Sequence, residues 1–173
     1  LKPSNPYSAT KASADMLVLA WSRTYGIPYI ILRPTNNYGE GQYVEKLIPK
    51  CCKYIELGKK IPLHNNGEPI RNWLHADDTA ASVITIIESG KTNEIYNVCG
   101  GFEQKNIDTV SKILAQYGKN IEDSVDLSIT RPGQDVRYAL NDDKLRALGW
   151  EPKAIFDKEL PAIIEYYKNN FIW

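Results

Sequence analysis

Apolar positions along the chain change their period repeatedly, and each change marks an element. From Asn5 the pattern predicts a helix to about Tyr25. Asn5 is a capping residue, and Pro6 suits the first helical position, where a missing N–H costs nothing. Gly26, with Pro28 beyond it, stops that helix. Residues 29–33 form a short apolar run without alternation, the pattern of a strand in a parallel sheet covered on both faces. A polar loop with two glycines spans residues 34–41. Val44, Leu47, Ile48, Cys51, Cys52 and Ile55 return to helical spacing, closed by Gly58, and Pro49 marks a kink or a late start. Residues 61–64 and 70–75 read as two short strands around the turn Asn65-Asn66-Gly67. Asp77 opens a helix with Val83, Ile84, Ile86 and Ile87 as its apolar side and Gly90 at its end. Residues 95–98 form a strand. Ile107, Val110, Ile113, Leu114 and Tyr117 form an amphipathic helix stopped by Gly118. Residues 125–129 are strand-like, and short helices cover about 142–148 and 157–170. Helices alternating with strands predict an α/β fold, and no linker divides it.

Composition narrows the function classes. The chain has 173 residues, 43% hydrophobic and 24% charged, a globular balance that excludes general disorder. Its 21 basic and 21 acidic side chains cancel. A dedicated nucleic-acid or acidic-membrane binder would have no field to steer its partner. No apolar run approaches the roughly 18 residues needed to span a bilayer. Cys51, Cys52 and Cys99 are odd in number, two are adjacent, and no CxxC occurs. That pattern predicts reduced, buried thiols in a cytoplasmic protein. His64 and His75 have no cysteine at ligand spacing, so no metal site is expected. The segment 1–6 is polar, begins at Leu1 and lacks a signal-peptide core, while the single methionine is Met16. It reads as a loop inside a longer protein.

The candidate chemistry starts with Tyr7 and Lys11, four apart and therefore on one helical face. A nearby ammonium favours tyrosinate. Such a tyrosine takes a proton from a substrate hydroxyl while hydride leaves the same carbon. With 11 tyrosines in the chain, one YxxxK is expected by chance at about the frequency observed, so its surroundings decide its weight.

Those surroundings are specific. The run Pro6-Tyr7-Ser8-Ala9-Thr10-Lys11-Ala12-Ser13-Ala14-Asp15 precedes Tyr25-Gly26-Ile27-Pro28 and Leu32-Arg33-Pro34-Thr35-Asn36-Asn37-Tyr38-Gly39. Glu45-Lys46-Leu47-Ile48-Pro49, Pro62-Leu63-His64, Ile70-Arg71-Asn72-Trp73-Leu74 and Tyr96-Asn97-Val98 follow in order. Arg131-Pro132-Gly133-Gln134-Asp135-Val136-Arg137-Tyr138 and Leu148-Gly149-Trp150-Glu151-Pro152 complete the series. Together they resemble the extended short-chain dehydrogenase/reductase family, and within it the nucleotide-sugar 4,6-dehydratases, over essentially the whole chain.

The resemblance implies the C-terminal part of a Rossmann-type parallel sheet plus a smaller mixed α/β substrate domain. Residues 1–34 and 76–100 would be the remnant of an NAD-binding domain, and 35–75 and 101–173 a nucleotide-sugar-binding domain. Tyr7 would be the base that deprotonates the sugar 4-hydroxyl, and Lys11 would hold the nicotinamide ribose. Asn36 would lie near the nicotinamide of NAD and Asn37 on the sugar nucleotide. Lys46, Leu47, Pro62, Leu63 and His64 would line the substrate cleft. Arg71 and Asn106 would contact the diphosphate, and Arg131 and Gln134 would close on the nucleotide. A guanidinium fork matches phosphate oxygens, and asparagines add neutral donors. His64 replaces the family's usual tyrosine, Gln134 its histidine and Asn72 its aspartate, and the choice between a thymidine and a uridine nucleotide stays open.

The family's glycine-rich first βα turn and its acid pair lie ahead of the tyrosine, in a half of the protein that this chain lacks. Gly39-x-Gly41 has no third glycine and follows the wrong element. The isolated chain is therefore expected to be inactive. Nucleotide-sugar 4-epimerases and UDP-glucuronate decarboxylases share the YxxxK and the early strand, and a non-catalytic nucleotide-sugar-binding fragment is the other alternative. The apolar side chains of the first helix, Met16, Leu17, Leu19, Ala20 and Trp21, suggest a homodimer bundle of the family's kind.

Overall fold

The computed structural model describes residues 3–170. Leu1 and Lys2 of the predicted loop, and residues 171–173 of the second assigned domain, lie outside the described residues. Helix α1 (Pro6–Tyr25) begins where the Asn5 side chain accepts the Ser8 amide and ends at a left-handed Gly26. Strand β1 (Ile30–Pro34) follows, then β2 (Asn36–Tyr38) and α2 (Leu47–Glu56). Pro49 sits in the first turn of α2, so the proline marks a late start and no kink. Strand β3 (Ile61–Pro62), a tight turn at His64–Gly67, β4 (Ile70–His75), α3 (Ala76–Ser89) and β5 (Glu94–Val98) come next. The remainder is β6 (Phe102–Lys105), α4 (Asn106–Gln116), α5 (Ile121–Ser124), β7 (Val125–Asp126), β8 (Arg137–Tyr138), α6 (Asp143–Arg146) and α7 (Phe156–Asn169).

The strands form three small sheets. β1 and β5 pair in parallel, with Ile31 opposite Ile95. β4 is the centre of a mixed sheet, parallel to β2 and β8 and antiparallel to β6. β3 pairs in parallel with β7. The two strands around Asn65-Asn66-Gly67 therefore join different sheets. Asn65 and Asn66 both adopt left-handed backbone, which asparagine tolerates better than most residues.

Two cores hold these layers. The larger unites α2, α4 and α7 through Ile48, Cys51, Ile113, Leu114, Ile163 and Ile164. The smaller packs Leu74, Ile86, Tyr96, Val98, Leu145 and Trp150 beside the β1–β5 pair. All three cysteines are buried and free. Among the described residues no helix is long and apolar enough to cross a membrane.

Three expectations need correcting. The polar loop at 34–41 contains β2, because its backbone completes the β4 ladder regardless of side-chain polarity. In β1 only Ile31 is buried, so that strand is not covered on both faces. The inward face of α3 is Asp78, Ser82 and Ile86, while Val83, Ile84 and Ile87 point outward, Ile87 with 75% exposure. The Asp78 carboxylate accepts the Lys153 and Ala154 amides, and its carbonyl accepts the Trp150 indole N–H, which draws that polar face inward.

Candidate functional site

The site is organised by the loop from Arg131 to Tyr138, which is fastened at both ends. At one end Asn5 Nδ2 donates to the Gly133 carbonyl at 3.1 Å, and Ser4 Oγ donates to Asp135 Oδ1 at 2.8 Å. Gly133 has a left-handed φ of 68°, and a Cβ there would stand 3.0 Å from the Ser4 carbonyl. Only glycine lets the loop approach the front of α1 this closely. Arg71 of β4 spans the same region, donating from Nη1 to its neighbour Ile70 O at 2.8 Å and to Asp135 O at 3.0 Å. At the other end Asn65 Oδ1 accepts the Arg131 amide at 2.8 Å, and Nδ2 donates to Gln134 Oε1 at 2.9 Å.

Tyr7 stands in the first turn of α1, 71% exposed, with Lys11 exposed one turn later on the same face. The electrostatics tie it to the loop. Burial raises the Tyr138 phenol, and the negative charges of Asp135 and Tyr7 raise it further. Burial also lowers Arg71, with Asp135 and Arg131 as its nearest strong charges. His64 is lowered by burial first and then by the cations Lys50 and Arg131. Tyr7, Arg71, Arg131, Gln134 and His64 therefore lie around this loop.

The other predicted residues divide. Asn106 opens α4, is buried, and its amide donates to Pro69 O at 3.0 Å, adjoining the start of β4. Asn36 lies on β2 opposite Trp73, and its Oδ1 is buried without a hydrogen-bond partner. Asn37 is engaged internally, donating to Thr35 O at 3.0 Å and accepting from Thr79 Oγ1 at 2.7 Å. Lys46 precedes α2 and pairs with Glu45 at 2.8 Å. Leu47 packs on the larger core, and Pro62 is half-buried on β3. Leu63 is a core side chain with its amide spent on Asp126 O, so it offers a ligand no side-chain contact. Sequence reasoning passed over Asn65, Asp135 and Tyr138. Asn65 was visible only as a turn residue, whereas Asp135 and Tyr138 lay inside a quoted segment.

The parallel β1–β5 pair flanked by helices and the mixed sheet beside it are α/β architecture of the Rossmann type. The family model described as "NAD dependent epimerase/dehydratase family" matches residues 1–99, and the chain belongs to that family. It is 41% identical to dTDP-glucose 4,6-dehydratase 1 of Escherichia coli K12 over 99% of its own length and 49% of the relative's. It is 39% identical, over its whole length, to 26% of an Arabidopsis thaliana trifunctional protein whose first named activity is UDP-glucose 4,6-dehydratase. The crystal structure of dTDP-glucose 4,6-dehydratase from Bacillus anthracis in complex with NAD superimposes with a TM-score of 0.90 at 39% identity. That match covers 98% of this chain and 54% of the solved one. The chain thus spans about half the length of the bacterial dehydratases it matches.

Proposed function

We propose that this chain is the substrate-side half of an NAD-dependent nucleotide-sugar 4,6-dehydratase, with dTDP-glucose as substrate. The observation that carries the reading is the Tyr7–Lys11 pair beside the loop that joins α1 to Arg71 and Asn65. On this reading a proton acceptor stands next to groups whose chemistry suits a diphosphate. Tyr7 takes the proton of the sugar 4-hydroxyl, and Lys11 holds the nicotinamide ribose. Arg71 and Asn106 hold the diphosphate, and Arg131 and Gln134 close on the nucleotide. Lys46, Leu47, Pro62 and His64 border the cleft, and Asn37 contacts the sugar nucleotide through its remaining N–H.

The residues present fit the nicotinamide end of NAD. Asn36 Oδ1 is a buried acceptor without a protein partner, and Lys11 is an exposed cation beside Tyr7. NAD bound there supplies the hydride acceptor for C4 and later the donor for C6. Its pyrophosphate cradle and the acid pair that eliminates water belong to the half that the longer relatives carry in addition. On this reading residues 1–34 and 76–100 complete the cofactor domain, and 35–75 and 101–173 bind the nucleotide sugar. The outward apolar side chains of α1, Met16, Leu17 and Trp21, form a homodimer contact. Three free, buried thiols favour the cytoplasm.

The test uses the full-length enzyme with dTDP-glucose and with UDP-glucose, the product being read by mass. A 4-keto-6-deoxy sugar from dTDP-glucose is the expected result. A C4 epimer or a pentose would overturn the dehydratase reading, and turnover of UDP-glucose alone would move the substrate to the uridine series that the Arabidopsis relative names.

A further inference from the structure

β4 carries two strands on one of its edges. β6 takes the other edge, from Ile70 to Trp73. β8 and β2 therefore lie end to end on the opposite edge, β8 beside Ile70 and Arg71 and β2 beside Trp73 to His75. Cross-strand neighbours point to the same face of a sheet, and successive residues alternate between faces. Arg71, Tyr138 and Gln104 thus share one face as a row, and Trp73 and Asn36 share it in the next row. Ile70, Asn72, Glu103 and Arg137 take the other face. The Arg137–Glu103 ion pair, at 2.7 Å, closes across that second face, as the alternation requires.

The polar groups of the first face have hydrogen-bonding capacity to spare. Arg71 uses only Nη1 inside the protein, on Ile70 O and Asp135 O, so its Nε and Nη2 donors stay available. Asn36 Oδ1 and Trp73 Nε1 are buried without partners. Tyr138 is 37% exposed, and no hydrogen bond among the described residues engages its hydroxyl. Its strand runs about 4.8 Å from that of Arg71, and the two side chains have similar reach. Each also feels the other's charge. Burial, and after it Asp135, raises the Tyr138 phenol, so it is an uncharged O–H donor at neutral pH.

Resting on the nucleotide-sugar reading, we propose that Tyr138 is a further substrate-binding residue: its phenol O–H donates to an oxygen of the diphosphate that Arg71 holds. A diphosphate presents more acceptors than one guanidinium fills, and a phenol adds a donor without adding charge. The two tyrosines at the loop then divide the work. Tyr7 approaches from α1 as the proton acceptor, and Tyr138 approaches from the sheet as a donor.

The test compares the full-length protein with its Y138F variant, which loses only the hydroxyl. dTDP and UDP are titrated by calorimetry, thymidine and uridine by NMR, and KM and kcat are measured with whichever of dTDP-glucose and UDP-glucose is turned over. Y138F should weaken the diphosphates about tenfold, the loss of one hydrogen bond to a charged group, and the nucleosides less than twofold. KM should rise by a similar factor while kcat stays within about twofold. An equal loss for diphosphates and nucleosides would make Tyr138 a support of the fold and overturn the proposal, as would an unchanged diphosphate affinity. A fall in kcat at constant KM would assign the hydroxyl to proton transfer beside Tyr7 and overturn it too. If the unmodified protein binds neither dTDP nor UDP, the nucleotide-sugar reading itself fails and the role of Tyr138 falls with it.

Discussion

At the scale of single residues, Tyr7 and Gly100 carry opposite kinds of constraint. Tyr7 is 71% exposed and holds nothing together, so its removal reads out chemistry rather than stability. Tyr7→Phe in the full-length enzyme should lower kcat by about 10²–10⁴, the usual contribution of a positioned acid–base group. Nucleotide affinity should stay within about twofold, measured by titration with dTDP. A variant that kept its turnover would remove Tyr7 from the mechanism. Gly100 is structural. A Cβ there would fall 1.7 Å from the Trp73 carbonyl, and its amide donates to Asn72 Oδ1 at 2.9 Å. The same Asn72 oxygen accepts from Thr35 Oγ1, so one buried, neutral amide ties β4 to the entry of β2 and to the end of β5. Gly100→Ala should destabilise the chain by about 3 kcal/mol or more, because backbone must move to admit the methyl. Urea unfolding with an unchanged midpoint would refute that. The thiols give a third check. Burial pushes Cys52 up to about 11 and Cys51 higher still, so the reactive thiolate is disfavoured at neutral pH. Native protein at pH 8 should leave both unmodified by a thiol reagent until denaturant is added.

At the scale of elements, α1 differs from the other helices of ten residues or more, each of which buries at least three side chains. It is 20 residues long and none of them is buried, yet Met16, Leu17, Val18, Trp21 and Tyr25 are apolar or aromatic and exposed. An isolated helix of that composition gains little from its own propensity and needs a partner surface. If two copies of α1 pack together, Trp21→Glu buries a charge at the seam and should yield monomers in light scattering of the full-length protein. An unchanged mass would exclude Trp21 from the interface. The same helix explains what the sequence made legible. Its caps, Asn5 and Gly26, are local chemistry, and both ends fall where that chemistry puts them. The short pieces were illegible for the opposite reason. Asn36-Asn37-Tyr38, Phe102–Lys105 and Arg137–Tyr138 are strands only because β4 offers them a ladder, and their own residues show no strand period. The face of α3 was misread because Val83, Ile84 and Ile87 suggested an inward side, while the bonds of Asp78 to residues 150–154 decided the rotation. In the candidate site, the motif residues on β4 and the Arg131–Tyr138 loop could be read from sequence. The Asn65 clasp could not, since it depends on two side-chain bonds across 66 and 69 positions.

At the scale of the whole molecule, the zero net charge and the exposed apolar faces point to one experiment. If Arg71 and Arg131 hold the nucleoside diphosphate as proposed, they do so in a chain whose charges cancel overall. A nucleoside diphosphate needs only such donors. NAD needs more, because its pyrophosphate is held by a glycine-rich turn at a helix N-terminus. Gly39-x-Gly41, which has the spacing of part of such a turn, follows β2 and leads into no helix until Leu47. If a further half packs on this chain as proposed, the outward side chains of α3 and the half-buried residues of β1 offer it a surface. The 173-residue chain alone should therefore bind dTDP or UDP measurably and NAD more weakly than about 1 mM. Raising salt from about 50 to 200 mM should weaken the nucleotide, since partly exposed charges are screened over a Debye length of about 8–10 Å. Tight NAD binding by the chain alone would mean that the cofactor cradle is already complete within it. That result would place the pyrophosphate on a surface other than a glycine-rich turn and would end the division of labour proposed between the two halves.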